Sequence, residues 1–235
     1  MRHWIVAVSA LGLTAVLVWS GSTSVTAQGP GSIVGEVKFS GTPPAPKVLK
    51  VNKDQQVCGA DKASEELVVG AHKGIKNAVV SLAGAKGPAP KPAQKPALDQ
   101  KGCQFSPHVL TVSAGGEVDI LNSDGILHNV HTFSTANPSI NKAQPKFKKV
   151  LTEKFDKPEI VRVQCDVHGW MSGWIVVGEH AQYAVSDEGG TFKLDNVPPG
   201  KHKVEVWHES LGKTSQEVEV KAGAPTKVVF ELGKK

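Results

Sequence analysis

Short apolar–polar alternations, broken at close intervals by glycine and proline, organise most of the chain. The run at 203–207 is the clearest. Val204 and Val206 share one face, while Lys203, Glu205 and Trp207 share the other, the two-residue period of a strand with one side buried. Comparable short strands are predicted at 32–39, 78–82, 109–112, 117–121, 160–164, 174–177, 191–194, 217–220 and 227–232. Between them stand strong turn formers: Ala-Gly-Gly at 114–116, Glu-Gly-Gly at 188–190 and Pro-Pro-Gly at 198–200. Beyond the first 27 residues no stretch carries the 3.6-residue period of an amphipathic helix. Many short strands at regular spacing, punctuated this way, predict an all-β chain built of β-sandwiches.

The beginning of the chain reads differently. Arg2 and His3 precede an apolar run from Trp4 to Trp19, and Val25-Thr26-Ala27 offers a small-residue cleavage pattern. The run is shorter than the ~20 residues that span a bilayer, so residues 1–27 are expected to be an export signal, with a retained anchor as the alternative. No cysteine sits near the cleavage point, which argues against a lipid-anchored form. The expected location is the periplasm or another exported compartment, with no stable membrane span after cleavage. Further on, Pro, Ala and Lys alternate through 84–98, the composition of an extended, solvated connection. Its first part, 84–92, is read as a linker between an N-terminal portion, 28–83, and a central block, 93–179. A third block runs from 180 to 235. The net charge of +5 comes from lysines spread along the chain, not clustered with aromatics, so nucleic acid is not an expected partner.

Three cysteines are an odd number for an oxidising compartment. Cys58 and Cys103 sit in polar contexts, whereas Cys165 follows a strand-like run and precedes further metal-binding residue types. The expected arrangement is a Cys58–Cys103 disulfide with Cys165 kept free. Around it, CDVHGWM at 165–171 and HNVH at 128–131 supply a thiolate, imidazoles and a thioether. A trigonal His₂Cys plane with a weak axial Met is the donor set of blue-copper electron-transfer sites. Three donors within seven residues fit one loop, and the fourth must come from elsewhere in the fold. His128 and His131 point to opposite faces of a regular strand. His128, just after the turn-like Asp124-Gly125, is the preferred ligand, and His131 is read as outward or packing.

The central block resembles a cupredoxin. FSPHVLTVSAGGEVDILNSDG at 105–125, HNVH at 128–131 and MSGWIVV at 171–177 carry the resemblance, and the Cys-x₂-His-x₂-Met loop is similar to that of amicyanin, shorter than that of plastocyanin. The resemblance implies a Greek-key β-sandwich and one type 1 copper cycling between Cu(I) and Cu(II), with His128, Cys165, His168 and Met171 as ligands. It also implies that the Asn129 backbone N–H is directed at the Cys165 sulfur. His168, flanked by Gly169 and Trp170, would reach the surface through an apolar patch where a redox partner docks. Such partners would be a c-type cytochrome or a quinoprotein or other dehydrogenase. Asp166 departs from the small hydroxyl residue usual in the family, and Trp170 is bulky for its position. The implied role is single-electron transfer, not catalysis. Competing readings are a structural set of His and Cys side chains, a zinc site, which seldom uses Met, and copper delivery without electron-transfer turnover. An oxygen- or nitrogen-oxide-reducing enzyme would need an open coordination position or a second copper, and no second His cluster of suitable spacing stands in the sequence.

Residues 181–232, with their D-E-G-G and N-V-P-P-G turns and Phe192, resemble the carboxypeptidase regulatory-like, transthyretin-type β-sandwich. About 50 residues is small for an independent core. GSIVGEVKFSG at 31–41 and NAVVSLAG at 77–84 look like the first strands of the same module. The expectation is therefore one sandwich split around the cupredoxin block, with the added strands covering an otherwise open edge. His72, His108, His180, His202 and His208 are expected at the surface.

Overall fold

The computed structural model describes Met1 and residues 29–85, 94–180 and 182–233. Residues 2–27 of the expected export signal and residues 86–92 of the expected linker lie outside the described residues. Strands account for almost all regular structure. The helical exceptions among the described residues are the one-turn helix Gln55–Cys58 and the 3₁₀ turn Ala71–Lys73.

The strands form two sandwiches, as the alternation predicts. In the first, a three-stranded sheet is ordered Thr191–Val197, Gly31–Phe39, Pro225–Leu232. It faces a four-stranded sheet ordered Tyr183–Val185, Val79–Leu82, Gly200–His208, Gly212–Val220. Ile33 and Val37 from one sheet meet Val80, Leu82, Val204 and Val206 from the other, with Phe192 and Phe230 filling the layer between. Each such side chain contributes about 1.5–3 kcal/mol when fully buried. The two N-terminal strands do not cover an open edge, as the sequence suggested; they are interior. Gly31–Phe39 pairs antiparallel with Thr191–Val197 on one side and parallel with Pro225–Leu232 on the other. Val79–Leu82 pairs antiparallel with both Tyr183–Val185 and Gly200–His208.

The second sandwich is made by the central block. Its four-stranded sheet runs Val150–Phe155, Gly116–Asn122, Ala97–Gln100, Phe105–Ser106. Its five-stranded sheet runs Asn141–Gln144, His128–Phe133, Glu159–Gln164, Ser172–Gly178, Val109–Ser113. Leu98, Val118, Ile120, Val130, Val161, Val163 and Ile175 occupy the core between them. His128–Phe133 and Glu159–Gln164 are adjacent antiparallel strands, so the start of one and the end of the other are neighbours in space.

One stretch crosses between the two bodies. After Phe39 the chain leaves the first sandwich, and Val51 and Cys58 are buried in the core of the second. It returns through Lys62–Ala63, paired with Val48–Leu49. His108, His180 and His208, expected at the surface, are buried. His208 lies on the same strand face as Val204 and Val206 and so points inward with them. His108 pairs through Nε2 with Glu209, and His180 stacks on Tyr183. Among the described residues no helix is long and apolar enough to cross a membrane.

Candidate metal centre

The strand Glu159–Gln164 delivers Cys165 to the end of the five-stranded sheet, and the chain then turns sharply. The Cys165 N–H donates to the Met171 carbonyl at 3.2 Å, and the Met171 N–H donates to the His168 carbonyl at 2.8 Å. These two bonds close the 165–171 loop, which carries three of the four expected donors, and Cys165 and His168 meet within it. The fourth arrives from the neighbouring strand, whose first residue is His128. His128, Cys165 and His168 are fully buried and Met171 is 1% exposed.

The three innermost donor atoms form a compact triangle. Cys165 Sγ is 3.8 Å from His128 Nδ1 and 3.9 Å from His168 Nδ1, and the two Nδ1 atoms are 3.0 Å apart. The point equidistant from all three lies about 2.1 Å from each, within the ~2.0–2.3 Å of zinc–imidazole and zinc–thiolate bonds. A single ion could therefore touch all three without rearrangement. Cys165 is a free, buried cysteine. Cys58 and Cys103 lie close to His168 as well, but they are joined as a disulfide with Cα atoms 5.1 Å apart and offer no thiolate.

Both imidazoles are held from behind by carboxylates. His128 Nε2 lies 2.9 Å from Asp124 Oδ2, and His168 Nε2 lies 2.8 Å from Asp54 Oδ2. Such a bond fixes the tautomer with Nε2 protonated and leaves Nδ1 as the inward-facing donor. Asp124 is itself anchored, accepting from Gly102 N–H at 2.5 Å and Cys103 N–H at 2.7 Å. Burial pushes the His128 pKa below the ordinary imidazole value, against the opposing pull of Asp124, which favours the neutral ring that a metal ligand must be. The hydrogen bond with His168 holds the Asp54 carboxyl below the usual carboxylate range.

A second polar group surrounds the loop on its other side. The Asn129 side-chain oxygen accepts from Asp166 N–H at 2.6 Å and Val167 N–H at 3.2 Å, so Asn129 holds the ligand loop through its side chain. Its amide donates to Asn141 Oδ1 and to Asp166 Oδ2. The Asp166 carboxylate also meets His131 Nδ1 and Asn141 Nδ2, and its pKa is lowered chiefly by the His131 bond. His131 faces away from the triangle and stacks on Phe133.

One expectation is overturned. His168 does not reach the surface: the segment carrying Asp54 lies across it, and Trp170 packs beside it with ring centroids 5.1 Å apart. Sequence reasoning missed Asp54 and Asp124. Asp124 left a signal, an acidic residue four positions before His128, whereas Asp54, 114 residues before His168, left none.

No protein-family model and no curated protein matches the chain. Among solved structures it is similar to an amicyanin from Paracoccus versutus, at 18% identity and a TM-score of 0.31 over 42% of this chain and 96% of that one. It is similar to a purple cupredoxin from Nitrosopumilus maritimus, at 18% identity and a TM-score of 0.31 over 36% of this chain and 100% of that one. A copper-containing nitrite reductase from Thermus scotoductus SA-01 matches at 24% identity and a TM-score of 0.31 over 40% of this chain; the match spans 24% of that chain.

Proposed function

We propose that the chain is an exported type 1 copper protein that carries single electrons, with His128, Cys165 and His168 around the metal and Met171 as the weak axial ligand. The observation that carries this reading is the triangle of Sγ and two Nδ1 atoms with edges of 3.0, 3.8 and 3.9 Å. Copper held there would supply a one-electron couple between Cu(I) and Cu(II). Cys165 provides the thiolate, whose charge favours Cu(II), and the two fixed imidazoles serve both oxidation states. Asn129 and the backbone bonds of the 165–171 loop hold these donors in place, so little rearranges when charge changes. The backbone N–H of Asn129, directed at the Cys165 sulfur, is part of the same proposal.

Full burial of His128, Cys165 and His168 keeps bulk solvent away from these donors, which supports a carrier over an enzyme. The same burial argues against copper handover, which needs an accessible ligand edge. Partners would be a c-type cytochrome or a quinoprotein dehydrogenase, meeting the chain in small, short-lived complexes.

Copper titration of the full chain tests the reading. The oxidised, loaded protein is expected to be intensely blue through Cys165 charge transfer, and Cys165→Ser to lose the band. Met171→Gln is expected to keep copper and lower the reduction potential, because an oxygen donor favours Cu(II). A colourless copper complex, or a band that survives Cys165→Ser, overturns the assignment.

A further inference from the structure

The ring edge of His168 turned away from the triangle is covered by residues 51–58, a piece of chain that belongs to neither sheet of the central sandwich. Three contacts fasten this piece. Val51 is buried in the central core, Asp54 Oδ2 lies 2.8 Å from His168 Nε2, and Cys58 is bonded to Cys103. Asp54 also starts the helical turn, its carbonyl accepting from Val57 N–H and Cys58 N–H. It does so in the left-handed region, φ 51° and ψ 36°, a conformation Asp tolerates at modest cost. Gln55 Nε2 donates back to the Val51 carbonyl at 2.7 Å, and Asp61 accepts from Val51 N–H at 3.1 Å, so the cap is braced internally. On its far side, Trp170 Nε1 donates to the Cys103 carbonyl at 3.1 Å, which ties the ligand loop to the disulfide that holds the cap.

We infer that Asp54 is a positioning residue for His168 and that residues 51–58 form a fixed cap closing this edge of the metal centre. The inference rests on the proposed copper reading and deepens it. The Asp54 carboxylate accepts the Nε2–H of His168, which fixes the ring with Nδ1 toward Cys165 and His128. Its negative charge lies one imidazole away from the metal position and opposes the loss of positive charge on reduction. With Asp124 behind His128, each ring is backed by a carboxylate, and both carboxylates are tied to the same disulfide: Asp54 through Cys58, Asp124 through the Cys103 N–H. The cap also moves partner docking off the His168 edge, since that ring is fully buried.

The test uses the full chain with Asp54→Asn, Asp54→Ala and, as a control at an exposed carboxylate outside the cap, Asp156→Asn. In the metal-free and Cu(I)-loaded proteins, the His168 Nε2–H resonance is expected to exchange slowly with solvent in the wild type and in Asp156→Asn, and rapidly in Asp54→Ala. Cu(II) affinity is expected to fall about 10–100-fold in Asp54→Ala, the loss typical when a partner behind a ligand is removed. The potential is expected to rise in Asp54→Asn, which keeps the shape and an acceptor but removes the charge. Wild-type values of exchange, affinity and potential in both Asp54 variants would overturn the cap. A wild type that binds no copper or stays colourless sinks the copper reading instead, and the metal-free exchange measurement still decides whether Asp54 holds His168.

Discussion

Trp174 and Trp207 meet edge to face across the two sandwiches, with ring centroids 5.3 Å apart and planes at 71°. Val79, Val109 and Val176 are buried beneath them, with Ile160, Tyr183 and Val185 packed around. The Trp174 backbone N–H donates to the His108 carbonyl at 2.8 Å, and the His108 ring pairs with Glu209, so the seam has a polar end as well as an apolar middle. An aromatic pair of this geometry contributes about 0.5–1.5 kcal/mol beyond its buried area. A double-mutant cycle with Trp174→Ala and Trp207→Ala is expected to give a coupling of about 1 kcal/mol by chemical unfolding. Strict additivity would mean that the two rings do not support each other.

That seam was only partly legible in the sequence. Alternation placed Val204 and Val206 inward correctly because the strand period is local, and the same period could have placed His208 with them. A surface default for histidine hid it. The cluster of His128, Cys165 and His168 was legible because two of them share one loop and the third opens a strand. Asp54 was not, because only the disulfide and the burial of Val51 bring it to His168, and nothing local to residues 51–58 records that contact. The interior placement of Gly31–Phe39 was equally hidden. Pattern identifies a buried face, but not how many neighbours a strand has.

Glu159 offers a pH test of the scaffold behind Cys165. Its carboxylate accepts from Thr135 N–H at 2.5 Å, Ala136 N–H at 3.1 Å, Asn137 N–H at 3.2 Å and the Ser134 hydroxyl. Burial alone would raise its pKa, but these donors win and hold it well below the ordinary carboxylate range. A folded pKa below the unfolded one means that the stabilisation is complete above the unfolded value, ~4.3, and fades as pH falls toward the folded value. Glu159→Gln is therefore expected to cost about 2 kcal/mol at pH 7, and the gap to the wild type to shrink between about pH 5 and pH 3. A constant gap across that range would assign the loss to packing, not to the ionised carboxylate.

The interior strands of the first sandwich make its C-terminal part dependent on distant sequence. Without Gly31–Phe39, the strands Thr191–Val197 and Pro225–Leu232 lose the neighbour that joins them. Without Val79–Leu82, Tyr183–Val185 is cut off from Gly200–His208. What survives is the hairpin Gly200–His208 with Gly212–Val220, and a lone hairpin is marginal in water. The apolar faces of Phe192, Leu194, Val228 and Phe230, buried in the whole chain, would lie open and favour aggregation. A fragment of residues 180–235 is thus expected to be unfolded or aggregated by circular dichroism and sedimentation. Joined by a short linker to residues 28–83 carrying Cys58→Ser, it is expected to regain a cooperative thermal transition. If 180–235 alone unfolds cooperatively as a monomer, the N-terminal strands are dispensable additions, and the split sandwich is not the unit that folds.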